Sequence, residues 1–502
     1  MRRTIVSAIA IGILLAGCAS ESGKAGPSAN LSGDLKISEN GRFIVHADGT
    51  PFFYLGDTAW ELFHRLNREE ALTYLDNRSA KGFNVIQAVI LYEQAFESPN
   101  AYGHFPLIDA DITKINVTPG SDPADPCQYD YWDHVEWIIR QAADRNIIMG
   151  LLPCWGEYVT PRFRERTIHN TTEGYNYGWF VGNRFRELNH NIIWILGGDR
   201  LPDERENGVE IWRAMAEGIT DGVTGQKNHD GIADYTATFM TYHCYASSAR
   251  WFHHDQWIDM HTWGSYHEKH DNERAYYMPY CDWILPNPKP TLNSEPAYEL
   301  SAVNYDWKNA ASGYFDDFDV RQVAYWSVFS GTCGHTYGCD SVWQMYKKEN
   351  SNPQLTNLVQ KQWFEELDEK GAFQMVYLKN LILSRDPLSR IPNNGLLAEN
   401  PHDPTGRLVA CSGNGYALVY IPTGKKIYID LAKFPPKSVK PSWFNPRNGE
   451  ITPMPPFENT GKVREFDPPG EEKRANDYVL ILDDAAKNYL APGSQYSAGK
   501  EQ

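Results

Sequence analysis

The chain has 502 residues, 42 % of them hydrophobic, with 47 Lys and Arg set against 64 Asp and Glu for a formal net charge of −17. That length exceeds one ordinary domain and supplies enough apolar surface for a large core and a smaller accessory one. The acid excess, with no basic stripe anywhere along the chain, argues against a nucleic-acid partner, since a phosphate backbone needs clustered cations.

Arg2 and Arg3, an apolar run over 5–15 and then Leu15-Ala16-Gly17-Cys18 read as a targeting segment. The last four residues resemble the lipobox of bacterial lipoproteins, which implies a signal peptide over 1–18, lipidation of Cys18 and an envelope location; an ordinary secretory signal is the alternative. The apolar run is too short to span a bilayer. Small and polar residues over 19–33 read as a tether. Seven Cys remain beyond Cys18, an odd and scattered set that does not read as a disulfide framework.

Residues 41–53 read as a hairpin turning at Asp48-Gly49. Eight strand-like runs follow, over 52–56, 84–90, 147–153, 192–196, 239–243, 260–263, 291–294 and 332–337. Helical patterns lie between them. Asn67 with Glu70 forms a capping box for a helix running to Ala80. Tyr131, Val135, Ile138, Ile139 and Ala142 share a face, as do Trp212, Met215, Ala216 and Ile219, and Val320, Val323, Ala324 and Val328. Weaker helical patterns cover 175–190, 247–257 and 272–284, and a last helix is expected over 373–383. Strand and helix alternating eight times is the grammar of an α/β protein of the (β/α)8 TIM-barrel class, here over 34–389. Beyond about residue 390 short strands take over, at 407–411, 416–421, 426–431, 442–444 and 478–482. They predict a small all-β sandwich over 390–490, with Pro422-Thr423-Gly424 as a hairpin turn between two of its strands.

The chemistry gathers at two strand ends. Asp199 closes the fourth run behind Gly197-Gly198, and Glu295 closes the seventh before Pro296. An acid at the C-terminal end of a barrel strand faces substrate. Two such acids are the minimum equipment of a glycosidase, retaining if the carboxyls stand about 5–5.5 Å apart and inverting at about 6.5–9.5 Å. The other strand-end candidates for sugar contacts are Asp57, Trp60, Gln87, Tyr92, Trp155, Arg200, His243, His261, Trp263, His335 and Tyr337, with rim packing as the alternative for each. Arg200 either faces Asp199 or pairs with an acid such as Asp203. Six His lie between 243 and 270 without any fixed metal-ligand spacing, so no metal and no cofactor is expected.

Four blocks in order carry a family resemblance: Phe53-Tyr54-Leu55-Gly56-Asp57-Thr58-Ala59-Trp60, Lys81-Gly82-Phe83-Asn84-Val85-Ile86-Gln87, Trp194-Ile195-Leu196-Gly197-Gly198-Asp199-Arg200 and Asn293-Ser294-Glu295-Pro296. Together they resemble the apiosidase family, glycoside hydrolase family 140. The resemblance implies removal of apiose-linked side chains from the pectin rhamnogalacturonan II, an activity of gut Bacteroidetes, with Asp199 and Glu295 as the catalytic pair. The retaining clan on (β/α)8 barrels, similar by strand position, usually shows Asn-Glu where this chain has Gly198-Asp199. The tail, with Trp443-Phe444-Asn445-Pro446-Arg447-Asn448-Gly449, is similar to a module named for collagen binding. A polyanionic pectin meeting a −17 protein further implies a local Arg or Lys cluster at the site, with Arg184, Arg200 and Arg250 as candidates. The rival readings are a barrel glycosidase acting on another plant glycan, and a non-catalytic surface lipoprotein that binds collagen or glycan.

Overall fold

The computed structural model describes residues 35–494, apart from 93–97, 126, 162–167, 307, 351–358, 360 and 401. The signal peptide, the tether and Cys18 lie outside the described residues. The N-terminal hairpin pairs Ile44–Val45 with Pro51–Phe52, Ile44 opposite Phe52, and Lys36–Ile37 adds a third strand.

All eight strand runs form strands: Tyr54–Thr58, Val85–Leu91, Ile148–Cys154, Ile192–Gly197, Met240–His243, His261–Gly264, Thr291–Glu295 and Gly334–Tyr337. Each is buried along its whole length, as expected of parallel strands covered on both faces. The eighth pairs with the first, and parallel ladders continue through the second, third, fourth and fifth. The sixth and seventh pair separately, also in parallel. Side chains stitch the seam between fifth and sixth: Thr241 Oγ1 donates to Met260 O at 2.6 Å and Thr262 Oγ1 to Tyr242 O at 2.5 Å. The Cys333 amide donates to Thr291 O at 2.9 Å beside the seam between seventh and eighth. The result is a curled parallel sheet.

The helix Arg68–Ala80 starts at the expected capping box, with Asn67 and Glu70 each satisfying the other's amide. Asp130 and Asp316 cap Tyr131–Ala143 and Asp317–Phe329 in the same way. The helix expected over 175–190 runs Thr171–Arg184 and then tightens into 3-10 turns to Asn191. The one expected over 247–257 shrinks to Ala249–Phe252.

From Ile391 the chain builds two antiparallel sheets. The larger orders Ile391–Pro392, Val409–Gly413, Tyr416–Ile421, Tyr478–Asp484, Ser438–Phe444 and Ile451–Pro453, and Phe457–Glu458 also pairs with Ser438–Phe444. The smaller pairs Ile427–Asp430 with Val463–Phe466. Residues 422–424 are therefore not a hairpin turn. They carry the chain from one sheet to the other, because Tyr416–Ile421 finds its partners in Val409–Gly413 and in the distant Tyr478–Asp484. Side-chain alternation divides the larger sheet between two cores. Ala417, Val419, Leu480 and Leu482 meet Ile427 and Ile429 inside the sandwich. Leu418, Tyr420, Val479 and Ile481 join the core of the parallel-sheet half. Tyr420 stacks on Tyr325 with centroids 4.8 Å apart. Arg321 reaches Asp477 at 2.8 Å, the two side chains 1 % and 0 % exposed, and Tyr420 also donates to Asp477 at 3.0 Å.

Candidate active site

The fourth strand ends in an unusual turn. Gly197, Gly198 and Asp199 have φ of 89°, 132° and 45°, three successive residues in the left-handed half of conformational space. A Cβ on Gly198 would come within 2.6 Å of the Trp155 ring and 2.9 Å of the Gly156 amide, so the turn presses directly on the end of the third strand. The turn is pinned by the Gly198 amide donating to His243 O at 2.8 Å. It leaves the Asp199 side chain 34 % exposed, its Oδ1 accepting from the Tyr266 hydroxyl at 2.9 Å.

At the end of the seventh strand the register slips between Asn293 and Glu295, an irregularity of the kind that re-aims a side chain. Glu295 is buried, with His243 Nε2 2.9 Å from one oxygen and His267 Nε2 3.6 Å from the other. The Tyr298 amide donates to His267 Nδ1 at 3.3 Å, which leaves the proton of that ring on the nitrogen facing Glu295. On the far side of the His243 ring, Nδ1 lies 3.0 Å from Ser294 Oγ, whose own proton has an acceptor in Trp263 O at 3.3 Å. Both nitrogens of His243 can thus donate. Burial opposes charge on that ring, but Asp199 and Glu295 outweigh it and raise His243 to about 9. Burial alone would likewise raise Glu295; the hydrogen bonds and charges of His243 and His267 prevail and hold its carboxyl below the usual range.

One oxygen of Asp199, one oxygen of Glu295 and a ring nitrogen of His243 all lie within 4.8 Å of one another. Among the described residues these three have the spacing of a cation site. His243 Nε2 stands 2.9 Å from Glu295 and 3.9 Å from Asp199, so one ring nitrogen faces both carboxylates.

The pair opens into a cavity of roughly 190 Å³ walled by Trp60, Tyr92, Trp155, Tyr266, His267, Tyr298, Ser301, Tyr305, Asp340 and Trp343. The rings form a continuous edge-packed wall: Trp155 lies 5.3 Å from both Trp60 and Tyr92, and Tyr298 4.5 Å from His267. Aromatic faces suit the C–H faces of a sugar. Two other depressions are lined by Ile148, Ile192 and Phe239 at the opposite strand ends and by Glu210, Arg213 and Asp255; neither includes the carboxylate pair.

The structure thus brings Asp199, Glu295, Trp60, Tyr92 and Trp155 to one cavity and places His243 directly beneath the acids. The remaining candidates lie elsewhere. Asp57 points outward to Arg78 at 2.6 Å and Tyr74 at 2.5 Å, because strand alternation sends Tyr54 inward and its neighbour out. Gln87 is buried under the site, donating to Ser294 O at 2.9 Å. Arg200 pairs with Glu157, so neither Asp199 nor Asp203 is its ion-pair partner. His261 bonds Ser248 and His253, and Trp263 donates to Thr291 at 3.0 Å. His335 is enclosed among the strands, and Tyr337 donates to Glu299 at 2.6 Å. Among the described residues the expected cationic cluster is not at the cavity. Arg184 pairs with Asp133 and Glu136, Arg250 with Asp203, and no Lys or Arg lines the cavity among the described residues.

Two carboxylates facing each other from these strand ends make the protein a glycoside hydrolase. Two solved structures of that class are similar over nearly the whole chain. One, described as a glycoside hydrolase, is 30 % identical, with 91 % of this chain and 98 % of the other covered and a TM-score of 0.79. The second, described as a glycoside hydrolase family 5 protein from Bacteroides vulgatus ATCC 8482, is 30 % identical over 92 % of this chain and 95 % of the other, again with a TM-score of 0.79. Residues 38–389 match the family described as apiosidase-like, catalytic domain, and the chain belongs to it. Residues 391–483 are similar to the family described as "Putative collagen-binding domain of a collagenase". No curated protein matches.

Proposed function

We propose that the protein is an apiosidase that cleaves the apiose–galacturonate linkage of rhamnogalacturonan II with retention of configuration, as a member of glycoside hydrolase family 140. Glu295 is the nucleophile and Asp199 the acid/base. The observation that carries the reading is the 4.8 Å limit on the gap between their facing oxygens, which suits direct attack and leaves too little room for the water of an inverting site. In the first step the ionised Glu295 attacks the anomeric carbon while Asp199 protonates the departing oxygen. In the second, Asp199 takes a proton from water, the water attacks the same carbon, and Glu295 leaves. His243 keeps Glu295 ionised for the first step and is a fixed positive charge beside both acids throughout. Trp60, Tyr92 and Trp155 hold the sugar by its apolar faces. The cavity, small beside the ~300–1,000 Å³ of a drug-sized ligand site, suits one sugar ring at the reacting centre.

The catalytic unit is proposed to span 34–389 as a closed (β/α)8 barrel and the sandwich 390–490, with acylated Cys18 holding both at the bacterial cell envelope. A Cys18→Ser variant that stays in the membrane fraction sinks the anchor. The function is tested by digesting a rhamnogalacturonan II side-chain fraction and following the anomeric proton by NMR. Apiose-containing fragments with the initial anomer retained are the expected result. Cleavage of only other plant glycans overturns the apiosidase, and an initially inverted product overturns Glu295 as nucleophile.

A further inference from the structure

A third carboxylate stands in the cavity without a part in the two steps above. Asp340 follows the eighth strand, four strands on from Asp199, and lines the same wall. Its Oδ1 accepts a long hydrogen bond from Trp343 Nε1 at 3.5 Å, and the Ser301 hydroxyl also acts on the carboxylate. No ion-pair partner within 4 Å is found for it among the described residues; Asp282 and Glu299 also lack one, but each of those accepts two or more short hydrogen bonds from hydroxyls or amides. An under-bonded carboxylate in an aromatic cavity is the acceptor that hydroxyls of a polyhydroxylated, uncharged ring satisfy.

We infer that Asp340 is the specificity-determining residue of the sugar subsite, accepting hydrogen bonds from hydroxyls of a neutral glycone and excluding a ring that bears its own carboxylate. The inference rests on the glycosidase reading of Asp199 and Glu295 and not on which neutral sugar is bound. Exclusion follows from charge. Asp199, Glu295 and Asp340 line the cavity, the His243 cation beneath the pair offsets one of them, no Lys or Arg lines the cavity among the described residues, and a uronate seated there would bring one more negative charge. In an anionic pectin the galacturonate is then confined to the leaving-group side of the bond. Desolvation by the cavity wall, opposed by His267, pushes the Asp340 carboxyl up to about 6, which is consistent with an acceptor whose donors arrive with the ligand.

The test uses the full-length protein and a panel of 4-nitrophenyl glycosides: the apioside, other neutral pentosides and hexosides, the galacturonide and glucuronide, and mono-deoxy analogues of the best substrate. The wild type should cleave a neutral glycoside and neither uronide. Asp340→Ala should lower kcat/KM on that glycoside by roughly 10- to 100-fold, the worth of a hydrogen bond to a charged acceptor. One deoxy analogue should lose a similar factor with the wild type and nothing further with Asp340→Ala, because the interaction is already gone. Asp340→Asn, which keeps one acceptor oxygen, should recover part of the loss. A residue that only supports the wall would give additive losses on every analogue, and that result overturns the inference, as does a wild type that prefers a uronide. Turnover of neutral glycosides other than the apioside removes the apiosidase reading and leaves this one standing. No turnover of any glycoside sinks both.

Discussion

The proposed nucleophile, Glu295, and the groups that set its charge, His243 and His267, come from different stretches of chain. Asp199→Asn and Glu295→Gln keep the shape of each group and remove its ionisation, so each should lower turnover by about 10²-fold or more with the fold intact. Near-normal rates in either variant would move the chemistry elsewhere. His243 acts through Glu295. Replacing it with Gln leaves burial to push the Glu295 carboxyl upward with only His267 opposing, so the acid limb of the kcat/KM profile should move to higher pH. An unmoved limb would show that His243 does not set the charge. The sign for stability is separate. His243 is raised from its ordinary 6.5 to about 9, so its contribution is complete below 6.5 and is lost as pH rises through 9, a loss that the Gln variant should not show. At this scale the sequence was partly legible. Both acids stood out because each stands at a strand end beside a break, Gly197-Gly198 before Asp199 and Pro296 after Glu295. Asp57 misled because its place at a strand end says nothing about which face it takes. Tyr266, His267 and Tyr298 were missed because they stand in irregular segments after their strands, and Asp340 because it opens a helix of 4 residues, too short to show a period. His267 lay in view among the six histidines, but its role depends on Glu295 and Tyr298 being brought beside it.

Single elements were read more reliably than single residues. The eight strands are runs of apolar or β-branched residues, and that signal is local. The 422–424 turn failed because strand partnership in an antiparallel sheet is long-range: the partner of Tyr416 is Asp483, and nothing near residue 424 says so. The helix expected over 247–257 failed where His253 gives its ring to His261 and to Pro286 O and the chain leaves helical geometry. The element that matters most for catalysis is the Gly197-Gly198-Asp199 turn. Gly198→Ala meets both a positive φ and the Trp155 ring, so it should destabilise the protein by about 1–3 kcal/mol and displace Asp199. Thermal unfolding and kcat together check this. A variant with a normal melting temperature and normal kcat would show that the turn tolerates a side chain, and that the glycines do not fix the acid.

On the scale of the whole molecule, the sandwich and the parallel-sheet half share buried chemistry. Asp477→Ala would leave the Arg321 guanidinium buried without its partner, with Tyr420 also losing an acceptor, and should cost about 3–5 kcal/mol. Calorimetry should show a single transition that falls as one unit. A sandwich that melts first, with the active site intact, would contradict this. Five of the tail's nine strands were legible in the sequence; Ile391–Pro392, Ile451–Pro453, Phe457–Glu458 and Val463–Phe466 are too short or too polar to stand out, and the attachment was hidden because residues 416–421 are buried at every position and an all-apolar strand does not say which two cores it divides.

That shared sheet also limits what the tail can touch. One of its broad faces is already occupied by the sandwich core and the other by the catalytic half. A fibrous protein or a glycan chain approaching the tail therefore meets loops, edges and the outer side of the two-stranded sheet, where Tyr428 and Glu465 lie opposite each other. The same sheet serves as a splint. With two cores sharing its strands, any motion of the sandwich against the catalytic half would have to break buried packing on both faces of one sheet.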